Sequence, residues 1–188
     1  MGFDPDLVVV VYVLNDAHYA GGLDLWEGFR RQYENRSLKR SYLASTVYAV
    51  IARRTLARKY VEDLVGNASG AESKWLASFS DLRRGRKIAE THGARYAVAI
   101  YPFLYALDES HPFRPIHRRI VEYCNRNGIE VVDLFDAFDG RSDTDLWVHP
   151  SDPHPNEEGQ RIAAEALATF VREHGLLPAS RKSLLQRP

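Results

Sequence analysis
The sequence predicts an α/β fold, a parallel β-sheet sandwiched by helices, and two observations carry that prediction. Three short apolar, β-branched runs recur along the chain, at residues 7–13, 95–101 and 129–133. Each of the two later runs follows a helical stretch that ends in a glycine. Alternation of this kind makes a parallel sheet with crossover helices the natural architecture.

In chain order, Leu7-Val8-Val9-Val10-Val11-Tyr12-Val13 is apolar at every position, as expected of a strand covered on both faces. A helix is expected from about Glu72 to the stop at His92-Gly93, and the second strand runs from Arg95 to Tyr101, halted by Pro102. The next helix begins near Pro115, carries Ile116, Ile120, Val121 and Cys124 at helical spacing, and ends at Asn127-Gly128. Ile129-Glu130-Val131-Val132-Asp133 is the third strand. The final helix places Ile162, Ala163, Ala166, Leu167, Phe170 and Val171 on one face and stops near His174-Gly175. Asn156 is read as its N-cap, with Glu157 and Glu158 complementing the helix dipole.

With 188 residues, 45% hydrophobic and 27% charged, the chain has the size and make-up of one globular domain, residues 1–188. Lys plus Arg and Asp plus Glu balance at 25 each, so no overall basic field points to nucleic acid. The single cysteine, Cys124, excludes an internal disulfide framework and a multi-cysteine zinc site, and its place on an apolar helix face reads as a buried thiol. The chain opens Met1-Gly2-Phe3-Asp4-Pro5-Asp6, with acids where a signal peptide would be basic. Its apolar runs fall short of the roughly 20 residues that a spanning helix needs. Neither a signal peptide nor a transmembrane segment is read from it.

Chemistry concentrates in Ser151-Asp152-Pro153-His154-Pro155-Asn156-Glu157-Glu158-Gly159. Asp152 lies two residues before His154, in what reads as a stiff loop opening into the last helix. A carboxylate so placed orients an imidazole and stabilises its charged form, the arrangement used in nucleophilic catalysis. Helix capping accounts for Asn156 and the glutamates, not for the Asp-x-His before them. His149 is a second histidine in the same stretch, without an acid placed to orient it. His149, Asp152 and His154 could form a three-ligand metal site, but Pro150, Pro153 and the tight spacing work against it. In parallel sheets, sites form beyond the carboxyl ends of the strands. Residues 14–16, residues 101–103 and the Asp152–His154 stretch are expected to meet there. Asn15 is read either as an Asx turn ending the strand or as an amide aimed at a developing oxyanion, and Asp16 as a residue that fixes the loop.

The apolar strand ending in Asn15-Asp16, together with Asp152-Pro153-His154-Pro155-Asn156 through Gly159, resembles the SGNH/GDSL hydrolases. The likeness runs through most of the chain, including Val131-Val132-Asp133-Leu134 and the final helix. It implies a flavodoxin-like three-layer α/β/α sandwich and hydrolysis of a small-molecule ester, with no cofactor and no metal. By the same resemblance His154 is the base, Asp152 its acid partner and Asn15 an oxyanion-hole donor. The position three before His154, an acid in that family, is Ser151 here, and Val13 stands where the family has glycine.

The family's nucleophilic serine lies in a Gly-Asp-Ser motif upstream of the Asn-Asp block, and the 188 residues contain no Gly-Asp-Ser. Ser41, Ser45, Ser78 and Ser80 sit in helical stretches, and Ser142 follows the strand at the far end of the sheet, so no nucleophile is identified. The N-terminal strands are expected to be missing. In the family's sheet order, 2-1-3-4-5, residues 7–13 would form strand 3, which loses its neighbour and becomes an open edge. The chain is therefore expected to be inactive or impaired as an ester hydrolase. A non-catalytic binding remnant of the same fold and an acyltransferase using the same site are the alternatives. Residues 26–60 read as a basic helical insertion, with Arg30, Arg31, Arg36, Lys39, Arg40, Arg53, Arg54, Arg58 and Lys59 against Glu27 and Glu34. It is a solvated basic face, a lid, or, through residues 30–59, a contact for anionic lipid.

Overall fold
The computed structural model describes residues 4–14, 16, 73–149 and 152–178. Asn15, the basic stretch at 26–60 and Ser41 and Ser45 lie outside them. The chain divides into two compact units, Met1–Leu14 with Ala77–Pro188, and Asn15–Leu76. The described elements belong to the first, except for the opening residues of one helix.

Three strands, β1 (Leu7–Tyr12), β2 (Arg95–Ile100) and β3 (Glu130–Asp133), form one parallel sheet in the order β1-β2-β3. The register pairs Val8 with Tyr96 and Tyr12 with Ile100 on one side of β2, and Ala97 with Glu130 and Ile100 with Asp133 on the other. Beyond the ladders, the Tyr101 amide donates to the Tyr12 carbonyl at 2.9 Å and the Leu134 amide to the Ile100 carbonyl at 3.0 Å. The three carboxyl ends are thereby drawn together.

Helix α1 (Ser73–Thr91) leads into β2 and α2 (Arg114–Arg126) into β3. A single turn, α3 (Phe135–Phe138), follows β3, and α4 (Glu157–Glu173) is the last element among the described residues. Because side chains alternate along a strand, each face of the sheet meets its own helices. Tyr12 and Tyr96 share one face. There the Tyr12 hydroxyl lies 2.7 Å from Ser78 Oγ, Gly85 approaches the Tyr96 ring, and Phe79 of α1 stacks on Tyr123 of α2 at 4.8 Å. Ala97, Ala99, Val9 and Val132 form the other face and pack against Ile162, Leu167, Phe170 and Val171 of α4. The parallel α/β architecture read from the sequence is thus the one observed, with element ends displaced by a residue or two.

Two features differ from expectation. β1 was read as covered on both faces and, with its neighbour missing, as an open edge; Leu7 to Val10 are half-buried and Val11 is 49% exposed, so its faces are less covered than read. Among the described residues this strand pairs along one edge only, whereas β2, flanked on both sides, buries Tyr96 to Ile100. The second difference is that the Asp152–His154 stretch is an antiparallel hairpin, not an irregular loop. β4 (Trp147–His149) pairs with β5 (Asp152–Pro155), with a register irregularity between Trp147 and His149. Pro153 and Pro155 lack the N–H that an interior strand would donate, and they fit here because β5 is paired along one edge among the described residues.

The stop of α2 shows how the chain is turned into the sheet. Gly128 takes φ +62°, a left-handed conformation open to glycine, and the Ile129 amide then donates to the Cys124 carbonyl at 2.9 Å. The Arg86 guanidinium closes the same turn on the Asn127 carbonyl. No helix among the described residues is long and apolar enough to cross a membrane.

Candidate active site
The hairpin is held by three groups. Trp147 Nε1 donates to the Leu104 carbonyl at 2.7 Å, and the Tyr101 hydroxyl to the Gly159 carbonyl at 3.3 Å, which ties β4 and α4 to the segment leaving β2. Burial pushes the Tyr101 hydroxyl up to about 12, so it stays protonated and keeps donating. Asn156 does most of the rest. Its Oδ1 accepts the Gly159 amide at 3.0 Å as the N-cap of α4, while its Nδ2 donates to the carbonyls of Asp145 at 2.8 Å and Trp147 at 3.2 Å. One amide side chain both starts the helix and fastens the hairpin to it. The buried Gly159 permits that closeness, since a Cβ there would lie 3.2 Å from Pro155 Cβ and 3.5 Å from the Leu146 carbonyl oxygen.

Asp152 and His154 are brought together as the sequence suggests. Asp152 Oδ1 lies 2.5 Å from His154 Nδ1 and also accepts the His154 amide at 3.2 Å. These bonds, helped by His149, hold the Asp152 carboxyl below its usual range. It is therefore the ionised acceptor, and Nδ1 carries the proton. That tautomer leaves the lone pair on Nε2, as a general base requires. The pair is open to solvent, with side chains 47% exposed at Asp152 and 84% exposed at His154. His149 sits opposite Asp152 across the hairpin.

The other residues singled out from the sequence are placed as follows. Asn15, read as an oxyanion donor, lies outside the described residues, and Asp16 is exposed. Ser78 is bonded to Tyr12, and Ser142 Oγ lies 3.3 Å from Thr144 Oγ1. Cys124 is buried, and burial pushes its thiol up to about 11, which makes it a poor nucleophile. Among the described residues no hydroxyl or thiol bonds to His154, and no group of three or more His, Cys, Asp or Glu is placed to hold a metal ion. A groove of about 540 Å³ runs between β3 and α4, lined by Val132, Asp136, Ala137, Ile162, Ala166 and Phe170; neither Asp152 nor His154 lines it.

A second Asp–His pair was not read from the sequence. His117, near the start of α2 and wholly buried, has Nδ1 at 2.9 Å and 3.1 Å from the two carboxylate oxygens of Asp133, the last residue of β3. Asp133 also accepts the Phe135 amide at 3.1 Å and lies 3.7 Å from Arg114 Nη1. Burial alone would raise its pKa, but His117, the Phe135 amide and Arg114 outweigh that and hold the carboxyl below its usual range. Arg114 lies over the Phe135 ring at 4.2 Å and bonds Asp136 at 3.2 Å. One sequence signal could have exposed this pair: His117 falls at helical spacing with Ile120 and Cys124, a polar residue on an apolar face.

No family model matches the chain, and neither does any curated protein or solved structure. Fold and site together define an α/β protein whose last helix is headed by a solvent-facing Asp–His pair.

Proposed function
We propose that this chain is an SGNH/GDSL-type ester hydrolase domain acting on a small-molecule carboxylic ester. The observation that supports it is the 2.5 Å contact between Asp152 and His154, which leaves the basic Nε2 of an exposed imidazole free to take a proton. In this reading a serine hydroxyl attacks the ester carbonyl while His154 removes its proton, and Asp152 stabilises the imidazolium that forms. Asn15 donates to the oxyanion of the tetrahedral intermediate. His154 then returns the proton to the leaving alcohol, and water releases the acyl group by the same steps in reverse roles. The serine belongs to a Gly-Asp-Ser block that these 188 residues do not contain. Residues 30–59 would act as a lid or touch anionic lipid; absence of binding to anionic vesicles at low salt would remove the lipid role.

A second reading, a binding module of the same fold, is favoured by the lack of a hydroxyl bonded to His154 among the described residues. Hydrolysis of phenyl acetate separates the two, because free imidazole displaces its leaving group poorly. It should be measured on this chain and on the chain together with whatever in-frame coding sequence precedes it. Turnover in the extended chain that disappears with His154→Ala is the expected result, and turnover in neither form supports the binding module. Transfer of the acetyl group to an added alcohol in preference to water would instead mark an acyltransferase.

A further inference from the structure
We propose that His111 is an acid-sensitive latch: while neutral it fastens the 101–113 segment over the carboxyl ends of β2 and β3, and on protonation it releases that segment. His111 is 3% exposed and closes the irregular stretch between β2 and α2. Its Nδ1 lies 2.8 Å from the Tyr105 carbonyl oxygen, so Nδ1 carries the proton and Nε2 the lone pair. That Nε2 is buried without a hydrogen-bond partner. Around the ring stand Phe135 at 4.6 Å, Phe113 at 5.5 Å and His117 at 5.6 Å between centroids. A proton added at Nε2 would put a charged donor into an aromatic box with nothing to accept it.

The charged and titratable groups gathered there come from every neighbouring element. α2 supplies His117 and Arg114, the end of β3 supplies Asp133, α3 supplies Asp136, and the segment itself carries Asp108. Asp133 and Asp108 favour a charged His111, but the Asp133 oxygens are already taken up by His117, the Phe135 amide and Arg114, and exposed Asp108 accepts from Ser110 through Oδ1. Burial, reinforced by His117, holds His111 below the usual imidazole range; the bonds at Tyr105 and Ala106 and the Asp133 charge oppose this without reversing it. A group whose folded pKa is depressed binds more protons in the open form. Its stability is therefore whole above the unfolded value of about 6.5 and lost as pH falls below it.

The segment also has reason to move once unfastened. Ala106 sits at φ +48°, a strained conformation for a residue with a side chain, held by its amide on Asp143 Oδ2 at 3.2 Å. The Leu104 carbonyl carries Trp147 of the hairpin, so release of the segment reaches β4 and β5.

Amide hydrogen exchange of residues 101–113, compared at matched intrinsic rates between pH 7.5 and 5.5, tests the latch on the full chain. In the native sequence the opening constant should rise by up to about tenfold per pH unit below about 6.5. His111→Asn keeps an N–H for the Tyr105 carbonyl but does not titrate, and it should abolish the rise. A rise persisting in His111→Asn, or none in the native protein, overturns the proposal. Should that variant fail to fold, exchange at the Cε1 position of each histidine in the native protein gives a direct reading. A His111 midpoint below about 6.5 is expected, and one at or above it is the contrary result.

Discussion

Asp152 with His154 and Asp133 with His117 make the same contact, a carboxylate oxygen on an imidazole Nδ1, at 2.5 Å and 2.9 Å. Their surroundings are opposite. The first pair stands on a two-stranded hairpin in solvent, its members two residues apart. The second joins a helix to the end of a central-layer strand, its histidine wholly buried and its partner 18% exposed. Water and salt screen the exposed pair, so it adds little to stability, but its Nε2 can reach a reacting molecule. The buried pair has no such access. Its Nδ1–carboxylate contacts tie α2 to β3, although His117 Nε2 is buried without a hydrogen-bond partner, and removal of one member leaves the other stranded. The same chemistry thus divides into a candidate tool and a clamp according to burial.

Breaking the clamp should have the largest effect. Asp133→Ala leaves His117 Nδ1 and the Phe135 amide without their acceptor and should remove about 3 kcal/mol from unfolding free energy in urea. A loss under about 1 kcal/mol would mean that the buried pair is not a clamp. Its pH signature follows from the depressed Asp133 carboxyl. That contribution is complete above the ordinary value of 3.8 and lost as pH falls through the lower folded value. Asp133→Asn should accordingly flatten the acid limb of a stability–pH curve, and an unchanged acid limb would assign it to other carboxylates.

Asn156→Ala comes next, at about 1–2 kcal/mol, since it removes the N-cap of α4 and two hairpin bonds together. Thermal melting would register it, and amide exchange should quicken in 147–155 before the sheet responds. Equal quickening throughout would show that Asn156 acts on the whole domain and not on the hairpin. The smallest stability effect is expected at the exposed pair, where Asp152→Ala should leave the melting midpoint unchanged within error. A clear drop there would erase the contrast between the two pairs.

What could be read from the sequence was what is encoded locally. The strand β2 and helices α2 and α4 announce themselves through apolar spacing and glycine stops, and Asn156 caps α4 as its position suggests. Asp152 and His154 were legible because two residues of backbone suffice to bring them together. His117 and Asp133 are sixteen residues apart and meet only because α2 packs on β3. His111 lies in an aperiodic segment, where no spacing marks a buried position. The hairpin was hidden by Pro153 and Pro155, residues that argue against a strand until it is seen to pair along one edge. The coverage of β1 was overstated because an apolar run reports what a strand can bury, not how far its neighbours extend.

The most direct test of the division of labour is to measure ester turnover and melting together in His154→Ala, made in the chain together with whatever in-frame coding sequence precedes it. Loss of the general base should lower kcat by at least about 10²-fold while the melting midpoint stays that of the native protein. Unchanged turnover, or a melting midpoint that falls along with it, would contradict the assignment of chemistry to the exposed pair and structure to the buried one.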